Sequence, residues 1–130
     1  MKIQWITKDD SLGAVTIYEN NIRLSKKAAD YFLDAYAIAI GVNLEDNKIV
    51  IKKINKEEAE SNAIDKSRLY KINIKPSYGR ITGKKMIDEL KNIYNFNFTK
   101  QQAYKYSAKW NTGDKMLIVD VKEERNDWFS

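Results

Sequence analysis

The sequence predicts an α+β, strand-dominated domain: two β-β-α-β-β halves closing on each other as one pseudo-twofold, barrel-like body. Three observations lead there. Val15-Thr-Ile17 followed by Arg23-Leu24-Ser25 matches Ile72-Asn-Ile74 followed by Arg80-Ile81-Thr82, each pair 57 positions apart. Asn43, Asp46, Ile49 and Ile51 match Asn111, Asp114, Leu117 and Val119, each 68 positions apart. Between the matched stretches each unit carries an apolar stripe at helical spacing, opened by a basic pair, Lys26-Lys27 or Lys84-Lys85. The difference between the offsets places the longer insertion ahead of the second hairpin, within Tyr94 to Ala103. The competing reading is chance similarity between two β-rich stretches of limited vocabulary.

Taken in chain order, Ile3 and Trp5 alternate ahead of Thr7-Lys-Asp-Asp-Ser-Leu-Gly13, which predicts an extra strand and hairpin leading into Val15. Val15 and Ile17, then Ile22 and Leu24, alternate about Glu19-Asn20-Asn21, two short strands around a turn. Ser25 can accept a hydrogen bond from a free first-turn amide and so cap a short amphipathic helix whose apolar positions are Ala28, Ala29, Phe32 and Ala35 or Tyr36. Ala37 to Val42 and Lys48 to Ile54 flank Asn43-Leu-Glu-Asp-Asn47 as a hairpin. The first half therefore spans 1–54 with its extra strand.

Residues 55–69 are charged and poor in large apolar groups, a connector with a helical turn over Lys56 to Glu60. The second half, 70–121, repeats the plan: Thr82 offers the cap, and Met86, Ile87, Leu90, Ile93 and Tyr94 form the stripe. Ala108 to Trp110 and Met116 to Val121 then flank Asn111-Thr-Gly-Asp114. Residues 122–130 read as a polar tail ending in Trp128 and Phe129, which could dock on the body or on a partner. Neither half can bury its apolar face alone, whereas two copies can close on each other, as a monomeric pseudo-dimer or within a homodimer.

Composition narrows the chemistry. The chain has no cysteine and no histidine, which removes disulfides, thiolate nucleophiles, zinc-cysteine sites, and the commonest general base and metal ligand. No catalytic residue, cofactor or metal site is expected. No run of about 18 apolar residues and no secretory leader is legible, so the expectation is a cytoplasmic protein without membrane contact. The net charge of +5 is uneven: Tyr70 to Val121 holds ten Lys or Arg against four Asp or Glu, while Val15 to Ile54 holds six against five. A polyanion-facing surface in the second half is one reading, and a solvated lysine-rich exterior is the other.

A strand, a bend, an Arg-aliphatic pair, a short helix and a hairpin ending in a basic strand form a pattern that resembles the AbrB, MazE and SpoVT family of swapped-hairpin domains. In the first half it runs through Asn21-Ile22-Arg23-Leu24, the helix from Ser25, Asp34-Ala35-Tyr36-Ala37-Ile38 and Lys48 to Ile54. In the second it rests on Tyr78-Gly79-Arg80-Ile81 and Met116 to Val121. The resemblance implies a DNA-binding transcriptional regulator in which one duplicated chain imitates the family's interdigitated dimer. It also implies that Arg23 and Arg80 contact phosphate or base edges, with Lys26, Lys27, Lys84 and Lys85 adding electrostatics at the helix starts. Two departures cut against it. Ser25 and Gly83 stand near the family's usual proline, and Tyr31, Phe32, Asp88 and Glu89 near its basic pair, where acids would repel phosphate. The alternative is a protein-interaction module, antitoxin-like or scaffolding, that binds no nucleic acid.

Other constellations carry less. Asp9-Asp10 and Glu45-Asp46 would need further carboxylates to form a hydrolytic or metal site, and both read as solvated loop caps. Gly79-Arg-Ile-Thr-Gly-Lys-Lys85 lacks the glycine spacing and ending of a phosphate loop. Tyr104, Tyr106 and Trp110 alternate with lysines as single-strand binders do, but the same alternation is expected of an aromatic core face.

Overall fold

The computed structural model describes residues 1–4 and 12–124. The extra strand expected at Trp5, the hairpin following it, the Asp9-Asp10 pair and the aromatic tail at Trp128 and Phe129 lie outside the described residues. The chain forms β1 (Gly13–Tyr18), β2 (Asn21–Ser25), α1 (Lys26–Asp30), β3 (Ala37–Asn43), β4 (Lys48–Ile54) and α2 (Lys56–Glu60). A 3-10 turn at Lys66–Arg68 leads into β5 (Leu69–Tyr70), β6 (Asn73–Ile74), β7 (Tyr78–Thr82), α3 (Lys84–Tyr94), β8 (Ala103–Asn111) and β9 (Met116–Glu124).

The nine strands of the described residues join one antiparallel sheet in the order β5-β3-β4-β9-β8-β1-β2-β7-β6. Hairpins from before residue 55 alternate with hairpins from after it: β3-β4 meets β9-β8, which meets β1-β2, which meets β7-β6. Three long ladders, β1-β8, β2-β7 and β4-β9, join the chain before residue 55 to the chain after it, and two of them pair residues at the spacings of 57 and 68 found in the sequence. In one, Arg23 lies opposite Arg80, with Ile22 on Ile81 and Leu24 on Gly79 to either side. In the other, Val50 lies opposite Ile118, flanked by Ile49 on Val119 and Ile51 on Leu117.

The sheet is curled. Tyr70 of β5 and Asn73 of β6 are separated by Lys71 and Ile72 alone, so these edge strands can be no more than about 11 Å apart at that point, at 3.8 Å per residue step. The concave side holds a single large core drawn from both sides of the connector: Val15, Ile17, Ile22, Leu24, Ile38, Ile49 and Ile51 meet Ile81, Tyr106, Leu117 and Val119. Phe32 from the turn after α1, and Met86, Ile87 and Leu90 from α3, close it. Full burial of one such aliphatic or aromatic side chain is worth about 1.5–3 kcal/mol, so this shared interior dominates the stabilisation.

Local chemistry explains each helix boundary. Ser25 Oγ accepts hydrogen bonds from Ala28 N at 3.4 Å and from Ala14 N at 2.9 Å, capping α1 and tying it to β1. The regular helix ends at Asp30, so Phe32, Ala35 and Tyr36, expected on it, lie in the turns that follow. The short helix suits the space beneath it. A Cβ on Gly13 would stand 2.8 Å from Ala28 Cβ and one on Gly79 would stand 3.0 Å from Ala29 Cβ, so two alanines are seated against two glycines. Gly79 thus belongs to a strand and serves close packing.

The expected cap on α3 is different. Thr82 ends β7, the cap residue is Gly83, and no side chain bonds the first turn. Asn95 in the left-handed region ends α3. Its stripe is buried at Met86, Ile87 and Leu90, but Ile93 is exposed.

The two long hairpins turn alike. Asn43 Oδ1 accepts from Asp46 N at 3.3 Å and Asn111 Oδ1 from Asp114 N at 2.9 Å; each four-residue loop ends in the left-handed region, at Asn47 (φ 53°) and Lys115 (φ 54°). The connector forms the expected helical turn, with Asn55 and Glu58 in reciprocal cap hydrogen bonds. It also contributes packing the sequence did not advertise: Ala59, Ile64 and Leu69 cover Ala37 and Ile54 in a small second core. No helix among the described residues is long and apolar enough to cross a membrane.

Candidate nucleic-acid interface

Strand alternation puts Ile22, Leu24, Gly79 and Ile81 on the concave face of the β2-β7 ribbon and Arg23, Arg80 and Thr82 on the convex one. The neighbouring strands extend that row. Lys105 of β8 pairs with Thr16 of β1, Thr16 with Arg23, Arg23 with Arg80, and Arg80 with Asn73 of β6. Three cations and no carboxylate occupy these five positions. Lys71, with Ile72, Asn73 and Thr82, lines a shallow cleft beside Arg80.

The arginines differ in setting. The Arg23 guanidinium lies 5.3 Å from the Tyr18 ring centroid and 4.9 Å from that of Tyr78, so an exposed cation is held between two rings. Arg80 is half-buried, and its Nε is shielded without a hydrogen-bond partner among the described residues. Neither arginine belongs to any of the ion pairs among the described residues, which are Lys26 with Asp30, Lys48 with Asp120 and Lys53 with Asp34.

The four lysines expected to join the arginines do not form one cluster with them. Lys26 and Lys27 follow Ser25, at the end of the ribbon where Ser25 pairs with Tyr78. Lys84 and Lys85 follow Thr82, at the opposite end, where Thr82 pairs with Asn21. The lysine pairs are therefore separated by roughly the ribbon length, about 14 Å at 3.4 Å per residue, with the arginines between. Lys26 is further engaged by Asp30 at 3.2 Å. The acids that weighed against phosphate, Asp88 and Glu89, are exposed on α3, whose buried side packs against the concave core. They lie one helical turn beyond Lys84 and Lys85, on the same exposed side of α3.

Sequence reasoning missed Tyr18, Tyr78, Lys105 and Thr16 as parts of this surface. The alternation of β1 and β7 was readable, but which residue of one strand faces which of another depends on long-range register, and that has no local signal. The aromatic strand is chiefly interior: Tyr106 is 4% exposed, while Tyr104 and Trp110 are half-buried against the core, with Trp110 stacked on Tyr31 at 4.7 Å. Among the described residues no three acidic, histidine or cysteine side chains converge as a metal site, and Glu45 and Asp46 sit exposed in the β3-β4 loop. No protein-family model, no curated protein and no solved structure matches the chain.

Proposed function

We propose that the chain is a DNA-binding regulator of AbrB-like type, acting through the convex face of the β2-β7 ribbon. The observation that carries this reading is the Arg23–Arg80 pair, two arginines placed directly opposite each other with no carboxylate paired to either among the described residues. Like charges so placed disfavour the fold, and an anion between or above them removes the conflict. Lysine pairs at both ends of the ribbon would extend the contact along phosphates.

The interleaved hairpins and the two ladders that pair residues at the repeat spacings support a tandem duplication, with 1–54 and 70–121 as the halves. Under that reading the paired arginines are one position seen twice, as in a symmetric dimer.

The test is fluorescence anisotropy with duplex DNA over a salt series. Affinity should fall steeply with salt, and Arg23→Ala with Arg80→Ala should flatten the log-log slope by about two contacts' worth, near 0.9 each, while the thermal transition is kept. Binding that ignores salt and both arginines would overturn the reading. A protein-interaction role draws support from Leu33, Leu44 and Tyr36, which are 65%, 64% and 52% exposed. Their replacement by serine would then abolish a complex that the arginine variants leave intact.

A further inference from the structure

The outer edge of β3 is only partly covered. β5 pairs with Ile38 and Ala39, and beyond them no strand among the described residues pairs with the β3 edge over Ile40–Asn43. Open edges are usually protected by a lysine, a proline, a bulge or extreme shortness, because unpaired amides and carbonyls template further pairing. This one has no lysine, proline or bulge: Ile40, Gly41, Val42 and Asn43 are uncharged and pair with β4 in regular register. Gly41 and Val42 are exposed, and a Cβ on Gly41 would meet nothing within 4 Å.

The charges flanking the edge are opposite in sign. At its far end the β3-β4 loop presents exposed Glu45 and Asp46. At its near end, just before β5, stand exposed Lys66 and Arg68, a net positive turn although exposed Asp65 opens it. In an antiparallel contact each strand's beginning lies at its partner's end. Two copies paired through this edge therefore set the acidic loop of each against the basic turn of the other, twice over by symmetry. A parallel contact would set like charges together.

We infer that β3 is a homodimerisation edge, pairing antiparallel with β3 of a second copy about Gly41–Val42 and steered by Glu45 and Asp46 of one chain against Lys66 and Arg68 of the other. The pairing is short, so the dimer belongs to the weak, concentration-dependent class. It does not depend on the nucleic-acid reading, because the arginine face lies on other strands.

Sedimentation velocity of the full chain over a concentration series, with amide chemical-shift perturbation, tests it. A monomer–dimer equilibrium is expected, with shifts centred on Ile40–Asn43. Glu45→Lys and Arg68→Glu should each weaken association about tenfold, and the two together should restore it. Raising salt should weaken the wild type and leave the thermal transition unchanged. A chain that stays monomeric throughout overturns the inference. So does a dimer whose shifts fall elsewhere, or one that ignores both single changes or is not restored by the pair.

Discussion

Arg23 and Arg80 face each other across the β2-β7 ladder, both on the convex side, with Arg23 alone clasped between Tyr18 and Tyr78. Directly opposed like charges cost roughly 0.2–1 kcal/mol in a sheet. Replacing Arg80 by threonine, a good strand former, should raise stability by about that amount in urea denaturation. The same change should weaken DNA binding, so stability and affinity move in opposite directions at one residue.

The tyrosine clasp permits a separate test that leaves charge unchanged. The two rings hold the guanidinium in place, and each exposed cation–π contact is worth about 0.5–1 kcal/mol. Tyr18→Leu or Tyr78→Leu should therefore weaken DNA binding about two- to five-fold. The salt slope in anisotropy titrations should not change, since no phosphate contact is lost.

Two glycines with the same backbone freedom should respond oppositely to a methyl group. Gly13→Ala forces a Cβ to 2.8 Å from Ala28 and should cost about 1–3 kcal/mol by displacing α1. Gly41→Ala meets open space and should be neutral or stabilising by up to about 1 kcal/mol, through reduced freedom of the unfolded chain. Chemical denaturation of both variants measures the contrast.

Lys115 occupies the left-handed region that Asn47 occupies in the matching loop. A lysine there is strained by about 1 kcal/mol, and asparagine tolerates the conformation better. Lys115→Asn should raise the melting temperature by a few degrees, read by calorimetry, whereas Asn47→Lys should lower it.

Acid should destabilise the fold through three carboxylates. The Lys53 ammonium donates to Asp34 and holds it below the usual range. The Lys122 amide, with Lys48 beside it, does so for Asp120, and the Ser67 hydroxyl and amide do so for Asp65. A lowered folded-state value means the unfolded chain binds more protons in acid, so this stabilisation is present above the unfolded carboxylate range and is lost as pH falls through the folded values. Melting curves of wild type and Lys53→Met should differ at pH 7 and converge as pH falls through the lowered folded-state value of Asp34.

Much of the secondary structure was legible because it rests on neighbours in sequence. The 2- and 3.6-residue periods located the strands and helices, Ser25 marked α1, and Asn43 with Asp46 marked a loop that recurs at Asn111 and Asp114. Where the reading stopped short, the deciding partner was distant. Gly83 replaced Thr82 at the α3 cap because Thr82 is held in the β7 ladder opposite Asn21. The connector seemed inert because Ala59, Ile64 and Leu69 are modest apolar residues whose burial depends on Ile54 and Ala37. Of the candidate site, the two arginines were singled out by the resemblance, and their opposition, their tyrosine clasp and the distance to the lysines required the register.

The alternation of hairpins has a consequence for how the chain reaches its native state. Residues preceding the connector make two hairpins that never touch edge to edge, since β9-β8 lies between them, and the later pair is likewise parted by β1-β2. Neither segment can complete a sheet in isolation, so folding must wait for contacts between distant parts of the chain, and such contacts form slowly. A protease cut between Asn62 and Ala63 should yield two pieces that are unstructured apart and regain strand signal when mixed, a split protein whose two fragments act as each other's template.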